Sequence, residues 1–438
     1  MQNRQTAEKI FMAGVRSVLP EKLIRRILRL EGEVLKAGDY IIPLEGIRNI
    51  YVIGAGKASA AMGHYVETVL GDRINGGHIV VKYDHSCKLI SIEVSEAGHP
   101  VPDENGFRAA QRIREIAENA GENDLVICLL SGGGSSLMAD IPEGLLPEEL
   151  FIINNLLIRS GASINEINCV RKHLSGLKGG QLARIVWPAR LLTLIISDVI
   201  GDPPEVIASG PTVPDPSTFR DALGVIDDYN LRPDLTSGLI KYLSDGAEGL
   251  HPETPKPGDP VFDGTINILA GTNMTALQAA SAEAGRLGYR PFIIDNALAG
   301  DVESVSESLV AAAVSFRDNN DIEKPVCLLY GGETTIKVTG GGVGGRNQHL
   351  ALSAAMRLKD VPGITILAAG TDGTDGTSDA AGAVVDSLTV PDSLEMNLDP
   401  ESFLSGFDSY NFFRLAGGQI VTGPTYTNVM DLVVILID

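Results

Sequence analysis

The chain has 438 residues, 44% of them hydrophobic and 21% charged, the composition of a folded protein with two or three domains. Its formal net charge of −21 argues against nucleic acid and acidic membrane surfaces as partners, and its 5% aromatic content argues against base-stacking platforms. An anion site in such a chain has to be built locally, from a few Lys, Arg and backbone N–H groups.

Residues 5–35 read as helix, with Ile10, Phe11, Val15 and Leu19 on one face and Pro20 as a break. This N-terminal stretch lacks the continuous apolar core of a secretory signal. No run reaches the roughly 18 apolar residues of a membrane span. Cys87, Cys128, Cys169 and Cys327 lie far apart with no CxxC pair, which suits a reducing cytoplasm, and the histidines show no metal spacing.

From about residue 48 to 210, apolar runs alternate with helical segments such as 104–119 and 145–160. That alternation predicts a parallel sheet with crossover helices. Residues 211–262 are rich in Pro, Asp and Gly, with a helical stretch at 218–245, and predict a domain boundary. A second alternation follows, with strands at 265–270, 290–295, 325–330 and 364–369. Between them come helices at 273–287 and 301–317, a hairpin-like TTIKVTGGG and a helix from Asn347. The tail NVMDLVVILID reads as a last strand at a sheet edge.

Six of the apolar runs open into Gly, Ser, Thr, Asn or Asp rather than into ordinary turns, and ligands of parallel α/β sheets sit outside such strand ends. GAGKAS (54–59) places Gly56 and Lys57 where a strand meets a helix N-terminus, a setting that attracts an anion. SGGGSS (131–136) brings Ser131, Gly132, Gly133, Gly134, Ser135 and Ser136 together as a nest of N–H groups for a carboxylate or phosphate. It lacks the GxSxG frame of a serine nucleophile. NCVRKHLSGLKGGQLA (168–183) adds Arg171 and Lys172, with His173 and Lys178, a basic cluster unusual in so acidic a chain. Asp198, in SDVIGD, sits at a strand exit, where a carboxylate acts as general base or holds Mg²⁺. Glu333 directly follows a buried strand, and Arg346 and Asn347 open a helix after GGGVGG. Residues 340–345 match GxGxxG, but in a run this rich in glycine and without a leading strand the match carries little. Asp372 and Asp375, in GTDGTDGTSD, suit Mg²⁺, which needs few carboxylates.

Together, GAGKAS, LLSGGGSSLM, INCVRKHLSGLKGGQLA, SDVIGDPPEVIASGPT, LYGGETTIKVTGGGVGGRNQHLAL and AAGTDGTDGTSDAAGA closely resemble the class II glycerate 2-kinases. That family was long labelled hydroxypyruvate reductase, and its C-terminal region is called the MOFRL domain. The resemblance runs from about residue 5 to the C-terminus. It implies two α/β domains with a cleft between them. One is an N-terminal Rossmann-like parallel sheet (1–240), the other a C-terminal mixed-sheet domain (241–438) containing the MOFRL region (about 320–435). It also implies a cytoplasmic enzyme using ATP and Mg²⁺, or a similar divalent ion, to phosphorylate D-glycerate at its 2-hydroxyl. Lys57, Asp198 and Arg346 match motif positions that line the cleft. On this reading SGGGSS holds the glycerate carboxylate with Arg171 or Lys172, and Asp198 orients or deprotonates the hydroxyl. Lys57 and Arg346 neutralise the phosphoryl group, and Mg²⁺ is held through Asp372 or Asp375. Which loop takes ATP stays open, and there is room for a homodimer. The alternatives are an NAD(P)H-dependent hydroxypyruvate reductase and a non-catalytic phosphate sensor.

Overall fold

A long apolar run without alternation has to be covered on both faces, and the computed structural model, which describes residues 2–438, places such runs in two sheets. The chain forms two compact units. The first comprises Leu23–Ser197 and Asp202–Ala270, and the second Met1–Lys22, Asp198–Gly201 and Gly271–Asp438.

The first unit is built on β1 (Asn49–Ala55), β2 (Ile74–Lys82), β3 (Glu93–Ala97), β4 (Asp124–Leu130), β5 (Arg190–Ile196) and β6 (Thr265–Gly271). Their spatial order is β3-β2-β1-β4-β5-β6, and the pairs from β3 to β5 are parallel. This is the order of dinucleotide-binding sheets, and it reverses direction between β1 and β4. Every residue of β4 (DLVICLL) is buried. Helix α2 (Ser59–Leu70) follows β1, and α3 (Glu104–Asn119) begins at Asp103, whose carboxylate accepts from Gly106 N. After β4 the chain builds a helical layer from α4 (Pro147–Ser160) and α5 (Ile164–His173). These pack through Leu157, Val170 and Leu174 on helices Phe219–Asp228 and Ser237–Ala247. A capping box between Ser163 and Glu166 starts α5. Its last turn carries Arg171, Lys172 and His173, where cations complement the helix dipole.

The second unit contains β7 (Arg290–Asp301), β8 (Val326–Thr335), β9 (Ile364–Gly370), β10 (Gly382–Asp386), β11 (Gln419–Ile420) and β12 (Asp431–Ile437), in the order β7-β8-β12-β9-β10-β11. Only β7 and β8 pair in parallel; the remaining pairs are antiparallel. Its helices include α6 (Asn273–Arg286), α7 (Val302–Asp318) and α8 (Arg346–Leu358). No helix among the described residues is long and apolar enough to cross a membrane.

Several expectations need correction. The first helix stops at Ser17, a second runs over Pro20–Ile27, and three short antiparallel strands follow at Leu28–Glu31, Val34–Ala37 and Tyr40–Pro43. The N-terminal helix belongs to the second unit, and residues 241–270 to the first. The boundary drawn at 240 failed because Pro and Gly mark a turn equally well within a unit, and the strand beyond this one returns to its own sheet. The final strand β12 is not at an edge but lies between β8 and β9, as its fully buried LVVILI run requires. TTIKVTGGG is not a hairpin. Thr334 and Thr335 complete β8, and an irregular loop follows.

Candidate active site

In the first unit the exits of β1 and β4 lie side by side, with Ala55 opposite Leu130. Gly56 adopts φ +138°, and a Cβ there would stand 2.2 Å from Ser131 Oγ. Ala58 N donates to that hydroxyl at 3.0 Å, and Lys57 N donates to Gly132 O at 2.9 Å. Ser59 Oγ, 3.2 Å from Ser131 Oγ, donates to Leu129 O at 3.0 Å. Gly56, Ser131 and Gly132 were expected to touch a ligand; instead they form the seam that locks the two exits together. The same seam argues against a dinucleotide turn, because the close approach that glycine permits is to Ser131 rather than to a pyrophosphate. What the seam presents is Lys57. Its side chain is half-buried, and its ammonium has no ion-pair partner among the described residues.

Beyond the β4 exit lies a cavity of about 490 Å³. Gly133, Gly134, Ser135 and Ser136 form one wall, and Arg171 and Asn154 reach in from the helical layer. The amides of Gly134 and Ser136 are used inside the turn, donating to Ser131 O and Gly133 O, whereas those of Gly133 and Ser135 have no protein acceptor among the described residues. Arg171 is held by one hydrogen bond, Nε to Asn154 Oδ1 at 2.6 Å, and has no carboxylate partner among the described residues. Burial alone lowers its pKa. A desolvated guanidinium without a counter-ion is costly, and a bound carboxylate would relieve that cost with two parallel hydrogen bonds. Lys172 is not in this cavity. Its ammonium pairs with the fully buried Asp215 at 3.3 Å and ties α5 to the segment after Gly210.

The cavity also shows one more member of the basic cluster, Lys178, and residues that sequence reasoning passed over. Lys178 lines it and is anchored to Met138 O at 2.8 Å and Asp140 Oδ1 at 3.0 Å. Ala208 lines it as well, and with Ser209 it holds backbone φ values of +50° and +60°, strain that ordinary residues rarely bear. Ser209 Oγ lies 2.8 Å from Ser135 Oγ and donates to Asn168 Oδ1 at 3.0 Å, fixing the serine wall. His99 closes another side, its ring against Gly133. The available signal for His99 was its place just after a strand, in AGHPVP.

Burial, then the positive charges of Lys57 and Lys82, push the His99 pKa down to about 4. The imidazole is therefore neutral at pH 7. Because the unfolded chain binds this proton at about 6.5 and the folded chain only near 4, stability is lost as pH falls through that window. The loss amounts to at most about 3 kcal/mol. Comparing the parent with His99→Gln in urea titrations at pH 7 and pH 4.5 isolates the effect. The variant should lose less stability on acidification, and equal losses would contradict the neutral, buried imidazole.

In the second unit, Asp198 accepts from Asn428 Nδ2 at 3.3 Å. Arg346 is not an unpaired cation. Its Nε and Nη2 donate to Asp431 at 2.6 and 2.9 Å, and Nη1 reaches Glu333 at 2.7 Å. Burial pulls its pKa down, but Asp431 and then Glu333 outweigh this and hold it above its ordinary value. One cation against two carboxylates leaves the set at net −1, a poor landing place for phosphate. Asp375 is likewise used inside the protein. Its oxygens accept Asn347 N at 3.0 Å and Gln348 N at 2.8 Å, with Gln348 Nε2 at 3.1 Å and Asn347 Nδ2 at 3.4 Å. It is thus the anionic cap of α8, with Asn347 buried beside it. Burial pushes its pKa up to about 6 against those hydrogen bonds. The expected metal role does not fit so enclosed a carboxylate. Asp372 is more open. Its Oδ1 takes Thr374 N at 3.0 Å and Thr374 Oγ1 at 3.1 Å, and Oδ2 has no protein donor among the described residues.

The glycines of 340–345 serve packing. A Cβ at Gly340 would meet Gly406 O at 2.5 Å, and one at Gly345 would meet Asp375 Oδ1 at 2.2 Å. No strand leads directly into this loop, so its GxGxxG match is not a dinucleotide turn.

Comparison with known proteins agrees with this architecture. Residues 6–244 match a family described as a domain of unknown function (DUF4147), and residues 326–431 match the MOFRL family. The D-glycerate 2-kinase of Thermotoga maritima is 39% identical over 99% of this chain and 98% of its own. The glycerate 2-kinase of Pyrococcus horikoshii is 38% identical over 94% of this chain and 97% of its own. An Agrobacterium vitis protein provisionally named hydroxypyruvate reductase is 44% identical over 88% of this chain and 86% of its own. The crystal structure of glycerate kinase from Thermotoga maritima superposes with a TM-score of 0.88 at 37% identity, covering all of both chains. The identity, the coverage and the shared fold agree: this chain belongs to the glycerate 2-kinase family, with its MOFRL region in the second unit.

Proposed function

We propose that the protein transfers the γ-phosphoryl group of ATP to the 2-hydroxyl of D-glycerate in the cytoplasm. The observation that carries this reading is Arg171, a half-buried guanidinium without a counter-ion among the described residues, at the rim of the β1/β4 switch, where α/β sheets bind their ligands. The kinase names of relatives alike over nearly the whole chain support it. Arg171 grips the glycerate carboxylate, helped by the amides of Gly133 and Ser135. Neutral His99 excludes water and donates or accepts a single hydrogen bond. The 2-hydroxyl gives up its proton as its oxygen attacks phosphorus and ADP leaves. Lys57, whose ammonium has no ion-pair partner among the described residues, neutralises charge on the transferring group. Positioning and charge neutralisation are most of what phosphoryl transfer needs.

No cluster of three metal-ligating side chains occurs among the described residues. Mg²⁺ does not need one, since it takes one or two carboxylates and completes its shell with water and phosphate oxygens. Asp372, through Oδ2, is the residue of the GTDGTDG loop that fits, and the ion when bound supplies charge neutralisation along the phosphate chain.

Arg171→Gln tests the carboxylate grip. Loss of a desolvated, charge-assisted contact should raise KM for D-glycerate by about 50-fold while leaving KM for ATP within about twofold. An unchanged KM for glycerate would remove Arg171 from the site.

A further inference from the structure

The second unit holds a cavity of about 460 Å³ that no step above uses. One wall is the glycine loop at Gly342–Arg346, and another is Phe407 with Ser409. Phe407 has φ +58°, a backbone state in which a bulky residue is strained. Its segment is clamped there. Gly342 N donates to Gly406 O at 3.1 Å, Val343 N to Asp408 Oδ1 at 2.9 Å, and Tyr410 N to Val343 O at 3.0 Å. The Phe407 ring stacks on His349, with centroids 5.2 Å apart and planes 18° from parallel. His349 is 4% exposed whereas Phe407 is half-buried, so a stacked pair is backed by protein and borders the cavity.

Two lining residues carry polar atoms without partners. Thr334 is 5% exposed, and its hydroxyl makes no hydrogen bond. His349 Nε2 meets Glu303 at 3.1 Å, but its Nδ1 has nothing. Buried groups of this kind call for a partner from outside the protein. Ile336 and Val338 make the flanks apolar. The single cation at the edge, Arg346, is already outweighed by Asp431 and Glu333, which disfavours phosphate here. A flat aromatic surface, apolar sides and two unsatisfied hydrogen-bonding atoms suit a neutral heteroaromatic ring.

We infer that this cavity takes the purine ring of the phosphoryl donor, its face on Phe407 and its edge toward Thr334 and His349. The inference rests on the kinase reading for the identity of the donor. Its test does not rest on turnover, because adenosine has no phosphate to transfer. Adenosine is titrated into the full-length protein, with binding read by calorimetry and the His349 ring protons followed by NMR. The parent should bind adenosine with a shift of the His349 signals. Phe407→Leu and Thr334→Val should each weaken binding by about tenfold and raise KM for ATP in step, with KM for D-glycerate unchanged. Thr334→Val should also melt no lower than the parent without ligand, since its hydroxyl has no bond to lose. That keeps the test informative if Phe407→Leu folds poorly. Adenosine binding that ignores both substitutions, or that leaves His349 unmoved, would overturn the inference while normal glycerate phosphorylation kept the kinase reading. Adenosine binding with the expected dependence, but no phosphorylation of glycerate, would do the reverse.

Discussion

Replacing Lys57 with methionine should lower kcat for glycerate phosphorylation by about 1000-fold and leave the protein folded. The two halves of that expectation have different origins. Folding should survive because the ammonium forms no ion pair among the described residues, so methionine removes no internal partner and keeps most of the apolar stem. The surrounding turn is held by backbone and serine contacts, Lys57 N to Gly132 O and Ala58 N to Ser131 Oγ, which the substitution leaves in place. Activity should fall because Arg346 is neutralised within the protein and Lys172 is committed to Asp215, which leaves Lys57 to meet the charge of the transferring group. Circular dichroism and a melting curve check the first half, and steady-state kinetics the second. Near-parental kcat in a folded variant would remove Lys57 from the chemistry.

Arg346→Met is expected to act chiefly on stability, costing about 3 to 5 kcal/mol. Asp431 is 5% exposed and receives both Nε and Nη2, so without the guanidinium a buried carboxylate stands unpaired next to the already strained charge of Asp375. A second substitution, Asp431→Asn, should recover a large part of the loss by removing the stranded charge. Denaturant titrations of the parent, the single and the double variant give the comparison. A loss below about 0.5 kcal/mol in Arg346→Met would mean that the pair contributes no more than a surface salt bridge. If the variant is instead fully stable and inactive, Arg346 is a catalytic cation and its ion pairs open during turnover.

Much of the fold was legible because a strand buried on both faces leaves no choice of residue. NIYVIGA, LVICLL, LLTLII and ITILAAG could be placed as strands from composition alone. Their order in space was not legible, since pairing depends on crossovers that composition does not record, and β12 was misplaced to an edge for that reason. The site was legible as a set of strand exits but not as a division of labour. Gly56 and Ser131 look like ligand groups until their mutual contact is known. Lys172 and Arg171 are neighbours in sequence, yet one turns to Asp215, 43 residues away, and the other to an open cavity. Arg346 and Asp431, 85 residues apart, give no sign of each other in the sequence. His99 carried a weak signal because a lone histidine in a proline-rich turn is common on protein surfaces; its neutrality comes from burial and the charges of Lys57 and Lys82.

The central claim is a specific phosphoryl transfer, and product analysis tests it most directly. The protein is incubated with D-glycerate, ATP and Mg²⁺, and the phosphorylated product is identified by phosphorus and proton NMR. The account predicts 2-phosphoglycerate formed in equal amount with ADP, and no NADH oxidation with hydroxypyruvate. It would be contradicted by 3-phosphoglycerate as the sole product, or by NADH-dependent reduction of hydroxypyruvate in the absence of any phosphoryl transfer.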